Sequence, residues 1–340
     1  MTVLVTGASG FLGGALAREL AQRGEDVRIL ARSTSKLDHL ADLNLTVIPG
    51  GLEDETALAA AVAGASHVYH CAGLSSDWGK WEDFYAANVT GVQNLLRAAH
   101  TAGTVQRFLH ISTTDVYGYP QVACPESHPI TDIGLPYNRS KGLGEQVVWD
   151  FAAETGLPVT VIRPANIYGP RSKDFVAEIA NLLADRSMLF VDGGRATAGL
   201  LFIDNAADAI IAAATSPHIL GKAYNLRDES SETWREYVDA LADGLGLPRA
   251  KISLPQGMAL GAGWLFEALY GGLRLSARPL LTRTAVYLIA VDQAYPIHRA
   301  VTDFGFTSTV NFDQAMRKTI EWCNSPEGRV AVKRPETKKR

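Results

Sequence analysis

The apolar run "VQRFLHIST" ends in a crowd of hydroxyls, Ser112, Thr113 and Thr114, and the later stretch "LPYNRSKG" sets Tyr137 four residues ahead of Lys141. On a helix those two positions share a face. An ammonium beside a phenol favours the phenolate, so Lys141 is expected to draw Tyr137 toward a working range and make it a usable acid or base. A hydroxyl from Thr113 or Ser112, at the carboxyl end of a neighbouring strand, can hydrogen-bond a substrate oxygen from the other side. A Tyr-x-x-x-Lys pair alone is ordinary helix surface. Its weight comes from what precedes it in the chain.

What precedes it is a turn of small residues. "TGASGFLGG" places Gly7, Gly10 and Gly13 at the exit of the first β-rich run and the opening of a helical one. Glycines there permit a tight turn, let backbone amides approach a pyrophosphate at the positive helix end, and let the helix pack on the strand. The second β-rich run ends in "RILARSTSK", where a fold selective for NAD(H) carries an acid for the ribose 2′-hydroxyl. Arg32 and Ser33 stand there instead. A guanidinium beside a hydroxyl, with Lys36 close by, suits a 2′-phosphate, so NADP(H) is the expected cofactor and NAD(H) the alternative.

Such groups need a scaffold that brings strand ends together. The runs "TVLVTG", "FLGGALARELAQRG", "DVRILAR", "LTVIPG", "ETALAAAVAG" and "HVYHCAG" alternate β and helical character. The rhythm continues through "NVTGVQNLLRAAHTAG", "VQRFLHIST", a helix starting near Tyr137, and "LPVTVIRP". This predicts an α/β fold, a Rossmann-type doubly wound parallel sheet with right-handed crossovers. The expected organisation is a cofactor-binding domain over 1–165, its sheet completed by segments near 200–226. A smaller interleaved substrate lobe takes most of 166–325, and a basic flexible tail covers 326–340.

Composition narrows the function classes. The 340 residues are 47% hydrophobic with a net charge of -4, enough for a large core and no electrostatic case for nucleic acid. Cys71, Cys124 and Cys323 lie too far apart for a disulfide framework or a metal knuckle, and a reducing, cytoplasmic setting is expected. The apolar run "TVLVTG" has no basic n-region or h-region ahead of it, so no signal peptide is expected. The runs "MALGAGWLFEALYGGL" and "TAVYLIAV" are broken by Glu267 and glycines or fall short of the ~20 residues a bilayer span needs, so no transmembrane segment is expected. His67 and His70 lie three apart in one strand and face opposite ways, which argues against a shared metal.

In chain order, "TGASGFLGG", "HCAG", "NVTGVQNLL", "STTDVYG", "YNRSK", "RPANIYGP", "LLFIDNAADAI" and "GKAYNLRD" make the sequence resemble the extended short-chain dehydrogenases/reductases, the NAD-dependent epimerase/dehydratase superfamily. The resemblance implies Thr113 as catalytic hydroxyl, Tyr137 as acid/base and Lys141 as its partner. It implies cofactor contacts from Gly7, Ser9, Gly10, Phe11, Leu12, Gly13, Arg32, Ser33 and Leu52. Further contacts are implied from Cys71, Ala72, Gly73, Asn88, Ser112, Tyr137, Lys141, Pro164, Asn166 and Ile167. Substrate contacts are expected from Ser75, Trp78, Thr113, Tyr137 and Asn166, and a homodimer from helices near 88–102 and 137–155.

Two departures from the family pattern stand out. Gly50-Gly51-Leu52 replaces the frequent Gly-Asp-Leu, so an adenine contact is lost or moved to Glu53 or Asp54, and Cys71 is a tolerated small residue in its turn. Dehydratases of this fold carry Asp-Glu where Thr114-Asp115 follows Thr113 here, which argues against dehydration.

The segment "GLSSDWGKWEDFYAANVTGVQNLL" is similar to the 3β-hydroxysteroid dehydrogenase-like group, which includes bacterial reductases of 2-alkyl-3-ketoalkanoic acids. Between Met258 and Tyr295, residues Trp264, Leu265, Phe266, Leu269, Tyr270, Leu280, Tyr287, Leu288 and Ile289 suit a large apolar pocket or simple lobe packing. Trp78, Trp81, Phe84 and Tyr85 have the spacing of a loop turning into a helix, as a lid or as ordinary packing. The expected activity is NADPH-linked interconversion of a ketone and a secondary alcohol on a hydrophobic small molecule, a sterol or a long-chain 3-keto acid. An acid substrate would need a cation, for which Arg163 and Arg171 are candidates. The rivals are a nucleotide-sugar epimerase with tightly bound NAD and a cofactor-binding scaffold without turnover.

Overall fold

The β-branched runs of the first half do form one parallel sheet. The computed structural model describes residues 1–333 apart from Arg274 and Ser276, so residues 334–340 of the expected tail lie outside it. In chain order come β1 (Thr2–Thr6), α1 (Phe11–Gln22), β2 (Asp26–Ala31), β3 (Thr46–Pro49), α2 (Glu55–Val62) and β4 (His67–His70). They are followed by α3 (Trp81–Tyr85), α4 (Gly91–Ala102), β5 (Arg107–Ile111), α5 (Pro136–Thr155) and β6 (Val159–Pro164). The sheet runs β6-β5-β4-β1-β2-β3, with the later strand Ala223–Leu226 added outside β6. All the strands are parallel, and the order in which successive strands are added reverses between β1 and β4, the switch point at whose carboxyl ends such sheets open a crevice. Val3, Leu4 and Val5 of β1 are fully buried, as expected for a strand covered by helices on both faces.

The helix expected to begin at Asn88 starts earlier, as α3. A single π turn over Ala86–Thr90 joins it to α4. α5 packs closely against this turn: a Cβ on Gly144 would sit 2.1 Å from the Asn88 carbonyl oxygen. The turn therefore meets bare backbone. Pro136 occupies the first turn of α5, where its missing N–H costs nothing, and left-handed Gly156 (φ 75) ends it.

The second half contributes β7 (Asn166–Tyr168), α6 (Ile179–Ala184), β8 (Leu189–Val191), β9 (Leu200–Phe202), α7 (Ile203–Thr215) and β10 (Ala223–Leu226). After these come α8 (Trp234–Leu245), β11 (Ile252–Leu254), α9 (Gln256–Gly272), α10 (Arg283–Ala290), α11 (His298–Phe304), α12 (Phe312–Asn324) and α13 (Pro326–Ala331). Of the late segments expected to complete the main sheet, β10 lies in it. β9 does not; it pairs with β7 in a separate two-stranded sheet, as β11 does with β8. Burial explains the interleaving: Ile210, Ile211 and Leu226 share one core with Val3, Val5, Leu16 and Ile29. Tyr168, Val176, Phe190, Trp234 and Leu241 form a second core in the lobe.

The start of the expected flexible tail is ordered. Ser325 caps α13 by accepting from the Gly328 N–H, and Val332 is buried in the lobe core. Apolar packing holds what charge alone suggested was solvated.

Glu145 of α5 and Arg163 of β6 pair with side-chain exposures of 0% and 5%. Arg163 also donates to the Tyr117 hydroxyl at 2.8 Å and the Glu126 carbonyl at 3.2 Å. Arg163 is thus structural, not a free receptor for a substrate carboxylate. Arg163→Met leaves Glu145 uncompensated in the core, so denaturant unfolding should show a loss of ~3–5 kcal/mol, with Glu145→Gln in the same chain recovering part of it.

Candidate active site

At the carboxyl end of the sheet, Thr6 ties two strands together. Its hydroxyl is hydrogen-bonded to His70 Nδ1 at 2.8 Å and accepts from the Ala72 N–H at 3.2 Å. Gly7 follows in the left-handed region (φ +74), and a Cβ there would sit 2.6 Å from the Ala72 nitrogen. The glycine turn and the Cys71-Ala72-Gly73 turn are therefore in backbone contact. Gly10 starts α1 with no side chain capping it, so the first-turn amides of Phe11, Leu12 and Gly13 are free for a ligand at the positive helix end. A cradle that side chains would fill and an uncapped helix start fit a dinucleotide pyrophosphate. Ser9, Arg32, Ser33 and Lys36 are exposed. Asp54 is spent on capping α2 through the Ala57 N–H (2.9 Å), which leaves Glu53 as the exposed acid beside Leu52. Leu52 is held by its carbonyl, which accepts from Asn94 Nδ2 at 2.9 Å. Burial pushes the Cys71 thiol up to about 12, unsuited to a nucleophile.

Asn88, at the π turn, connects the neighbouring elements. Its Oδ1 accepts from the Leu74 N–H at 2.8 Å, while Nδ2 donates to the Leu74 carbonyl at 3.0 Å and to Ser140 Oγ at 2.9 Å. The loop carrying Ser75 is thereby fixed to the helix carrying Tyr137 and Lys141. The Ser75 and Thr113 hydroxyls lie near enough to the Tyr137 phenol to act on its acidity. Thr113 Oγ also accepts from the Asp115 N–H at 3.2 Å and caps the short turn after β5. The neighbouring Ser112 hydroxyl is buried with no hydrogen-bond partner among the described residues. An orphaned hydroxyl beside the cradle again fits a bound group.

The charges around Tyr137 differ from the expectation that Lys141 draws its acidity down. Burial, and then Asp115, push the phenol above its ordinary value; the nearby Ser75 and Thr113 hydroxyls only oppose them. Lys141 donates to the Ile111 carbonyl at 2.7 Å, and burial lowers it to about 8 against the pull of Glu145, Cys71 and Asp115. Burial raises Asp115 to about 6, with Tyr119 and Lys141 acting the other way. Sequence reasoning missed Asn138, whose Nδ2 donates to the Asp115 carbonyl at 2.6 Å and the Thr131 carbonyl at 3.1 Å. Its place beside Tyr137 in "YNRSK" was the available signal.

Facing these groups, Trp78 packs edge-on against Tyr270 of α9, with ring centroids 6.5 Å apart. Phe84 is buried, and Arg139 lies over Trp81. Tyr287 stacks on Tyr119. The apolar set between Met258 and Tyr295 divides because α9 is apolar all round. Phe266 packs into the cluster of Val191 and Val286, and Leu288 and Ile289 join the lobe core. Trp264, Leu265, Leu269 and Leu280 are exposed. Asn166 donates to the Ala198 carbonyl at 2.6 Å, which ties the end of β6 to the lobe just after Pro164 and before the half-buried Ile167. His67 and His70 remain separate, and no group of metal-binding side chains occurs among the described residues. Nor is any described helix long and apolar enough to cross a membrane.

A profile of the NAD dependent epimerase/dehydratase family matches residues 3–226, well over half of the chain. The chain belongs to that family. The 2-alkyl-3-oxoalkanoate reductase of Stenotrophomonas maltophilia is 31% identical to this member over 94% of the chain and 98% of its own length. The 3-beta-hydroxysteroid dehydrogenase of Mycolicibacterium neoaurum is 28% identical over 94% and 90%. Among solved structures, UDP-glucuronic acid 4-epimerase from Bacillus cereus, in complex with UDP-glucuronic acid and NAD, superposes with a TM-score of 0.76 at 21% identity, covering 95% of this chain and 99% of that one. The last likeness is one of fold. With reductases and dehydrogenases as its sequence relatives, this member of the epimerase/dehydratase family is an NAD(P)-dependent oxidoreductase of the extended short-chain type. Gly7→Ala should keep the circular-dichroism spectrum but weaken nicotinamide cofactor binding, measured by fluorescence titration, at least ~10-fold, since the added methyl must displace the Ala72 backbone.

Proposed function

We propose that the protein is an NADPH-dependent reductase that converts a ketone on a hydrophobic small molecule to a secondary alcohol. What supports this is Lys141, buried on the helix that carries Tyr137 and bonded to the carboxyl end of β5, with the Ser75 and Thr113 hydroxyls near enough to act on the Tyr137 phenol. The Gly7–Gly13 turn would hold the pyrophosphate. Arg32, Ser33 and Lys36, exposed where an acid would favour the 2′-hydroxyl, would hold a 2′-phosphate. When bound, the reduced nicotinamide supplies hydride to the carbonyl carbon.

The chain's own residues manage the proton. Thr113 and Ser75 orient the ketone oxygen at Tyr137, and Tyr137 gives that oxygen its proton. A phenol held above its ordinary value by burial and Asp115 stays protonated across the neutral range, which suits a proton donor. Lys141, charged below about 8, stabilises the phenolate left behind. Trp78, Tyr270, Tyr119 and Tyr287 offer apolar walls for the rest of the substrate.

Tyr137→Phe should lower kcat for ketone reduction by ~10²–10⁴-fold while cofactor affinity stays within about a factor of two. In the wild type, burial depresses the Lys141 pKa, so its charge is lost as pH rises through about 8, and kcat/KM for reduction should fall across that point. A Tyr137→Phe enzyme that turns over normally would remove the phenol from the mechanism.

A further inference from the structure

An anionic substrate needs a cation to receive it. Arg163, Arg171, Arg227 and Arg278 lie at or after strand ends or in the lobe segments, and each is committed. Arg163 is buried on Glu145. Arg171 pairs with Glu327 at 3.2 Å. Arg227 donates Nε to the Tyr295 carbonyl at 2.9 Å and Nη1 to the carbonyls of Asp228 and Ser230 at 2.7 and 3.0 Å. Arg278, in the segment between α9 and α10, grips both oxygens of Asp77 through Nε and Nη2 at 2.5 and 2.6 Å, and its Nη1 takes Glu178.

This clasp is built on the loop that carries Ser75. Asp77 is two residues past Ser75, whose hydroxyl lies near enough to act on Tyr137, and it also accepts from the Thr282 hydroxyl at 2.6 Å. Glu178 closes the π turn that precedes α6, and Asp174 of the same turn adds a third carboxylate whose charge reaches Asp77, Arg278 and Tyr137. Against Asp77, Asp174 and Glu178 stand Arg278 and the exposed Lys173. Among the described residues these five groups sum to one negative charge, and Arg278 is already paired on both sides. A carboxylate or phosphate entering here meets repulsion and must surrender water without gaining a partner.

We infer that Asp77 and Glu178, by occupying Arg278, are specificity-determining residues that restrict the site to neutral ketones and select against substrates carrying a carboxylate or phosphate. This rests on the reductase reading above and narrows its substrate class. An ester or sterol-like ketone enters freely. The free 3-keto acid does not, because its anion lies against the same rim.

The test uses the full chain with a freshly prepared 2-alkyl-3-keto acid and its methyl ester, followed by loss of reduced-nicotinamide absorbance with NADPH and NADH. The ester should exceed the acid in kcat/KM by at least ~10-fold, chiefly through KM, and added salt should narrow the gap by screening the rim. Asp77→Asn with Glu178→Gln in one chain should free Arg278 and lower KM for the acid relative to the ester. The salt series on the wild type keeps the inference testable if that double variant fails to fold. An acid reduced as well as the ester, a gap indifferent to salt, or a folded double variant that keeps the wild-type preference overturns the inference and leaves the reductase reading standing. Reduction of neither compound with either cofactor brings down the reductase reading and this inference together.

Discussion

The side-chain amide of Asn88 is the joint on which the geometry of the reaction centre depends. Two of its three hydrogen bonds close on the backbone of Leu74 and the third on Ser140, so one buried group sets the loop after β4 against α5. Ser75 and Asp77 ride on the first of these elements, Tyr137 and Lys141 on the second. At the π turn Gly144 lets α5 touch the Asn88 backbone, and the amide of Asn88 reaches both partners from there. Replacing the amide with an apolar side chain would strand the Leu74 amide and carbonyl away from water, a cost of ~1–3 kcal/mol for each group.

Burial governs the electrostatics around that joint. It raises Tyr137 and Asp115 and lowers Lys141, so the three groups sit in states that water would not give them. The Glu145–Arg163 pair stands behind Lys141 on α5 and balances charge in the core. On the substrate side, the Arg278 clasp joins the loop after β4, the π turn before α6 and the segment between α9 and α10, elements far apart in sequence. One set of ion pairs links the lobe to the cofactor-binding half.

The residues of the proposed site carry local signals in the sequence. The glycine turn sits within one strand-helix junction, Tyr137 and Lys141 lie within one helical turn, and the alternation of strands and helices foretold a parallel sheet. What stayed hidden depends on contacts between distant segments. Arg278 and Asp77 are 201 residues apart, and neither carries a local cue. The acidity of Tyr137 was expected to follow Lys141, but Asp115 and the surrounding apolar walls decide it, and spacing alone does not report burial. β9 reads as a strand in sequence, yet which sheet it joins is settled by its pairing with β7. The apolar residues of α9 could not be sorted into core and surface by composition, since both faces of that helix are apolar.

The central claim is that this site passes hydride to a ketone and Tyr137 supplies the proton. The most direct measurement is the nicotinamide absorbance of NADPH when the purified protein meets a neutral apolar ketone and, separately, a UDP-sugar. Stoichiometric loss of NADPH with the ketone, and none with the sugar, is the predicted result. Conversion of the sugar with no net change in cofactor would contradict the account and make the protein an epimerase.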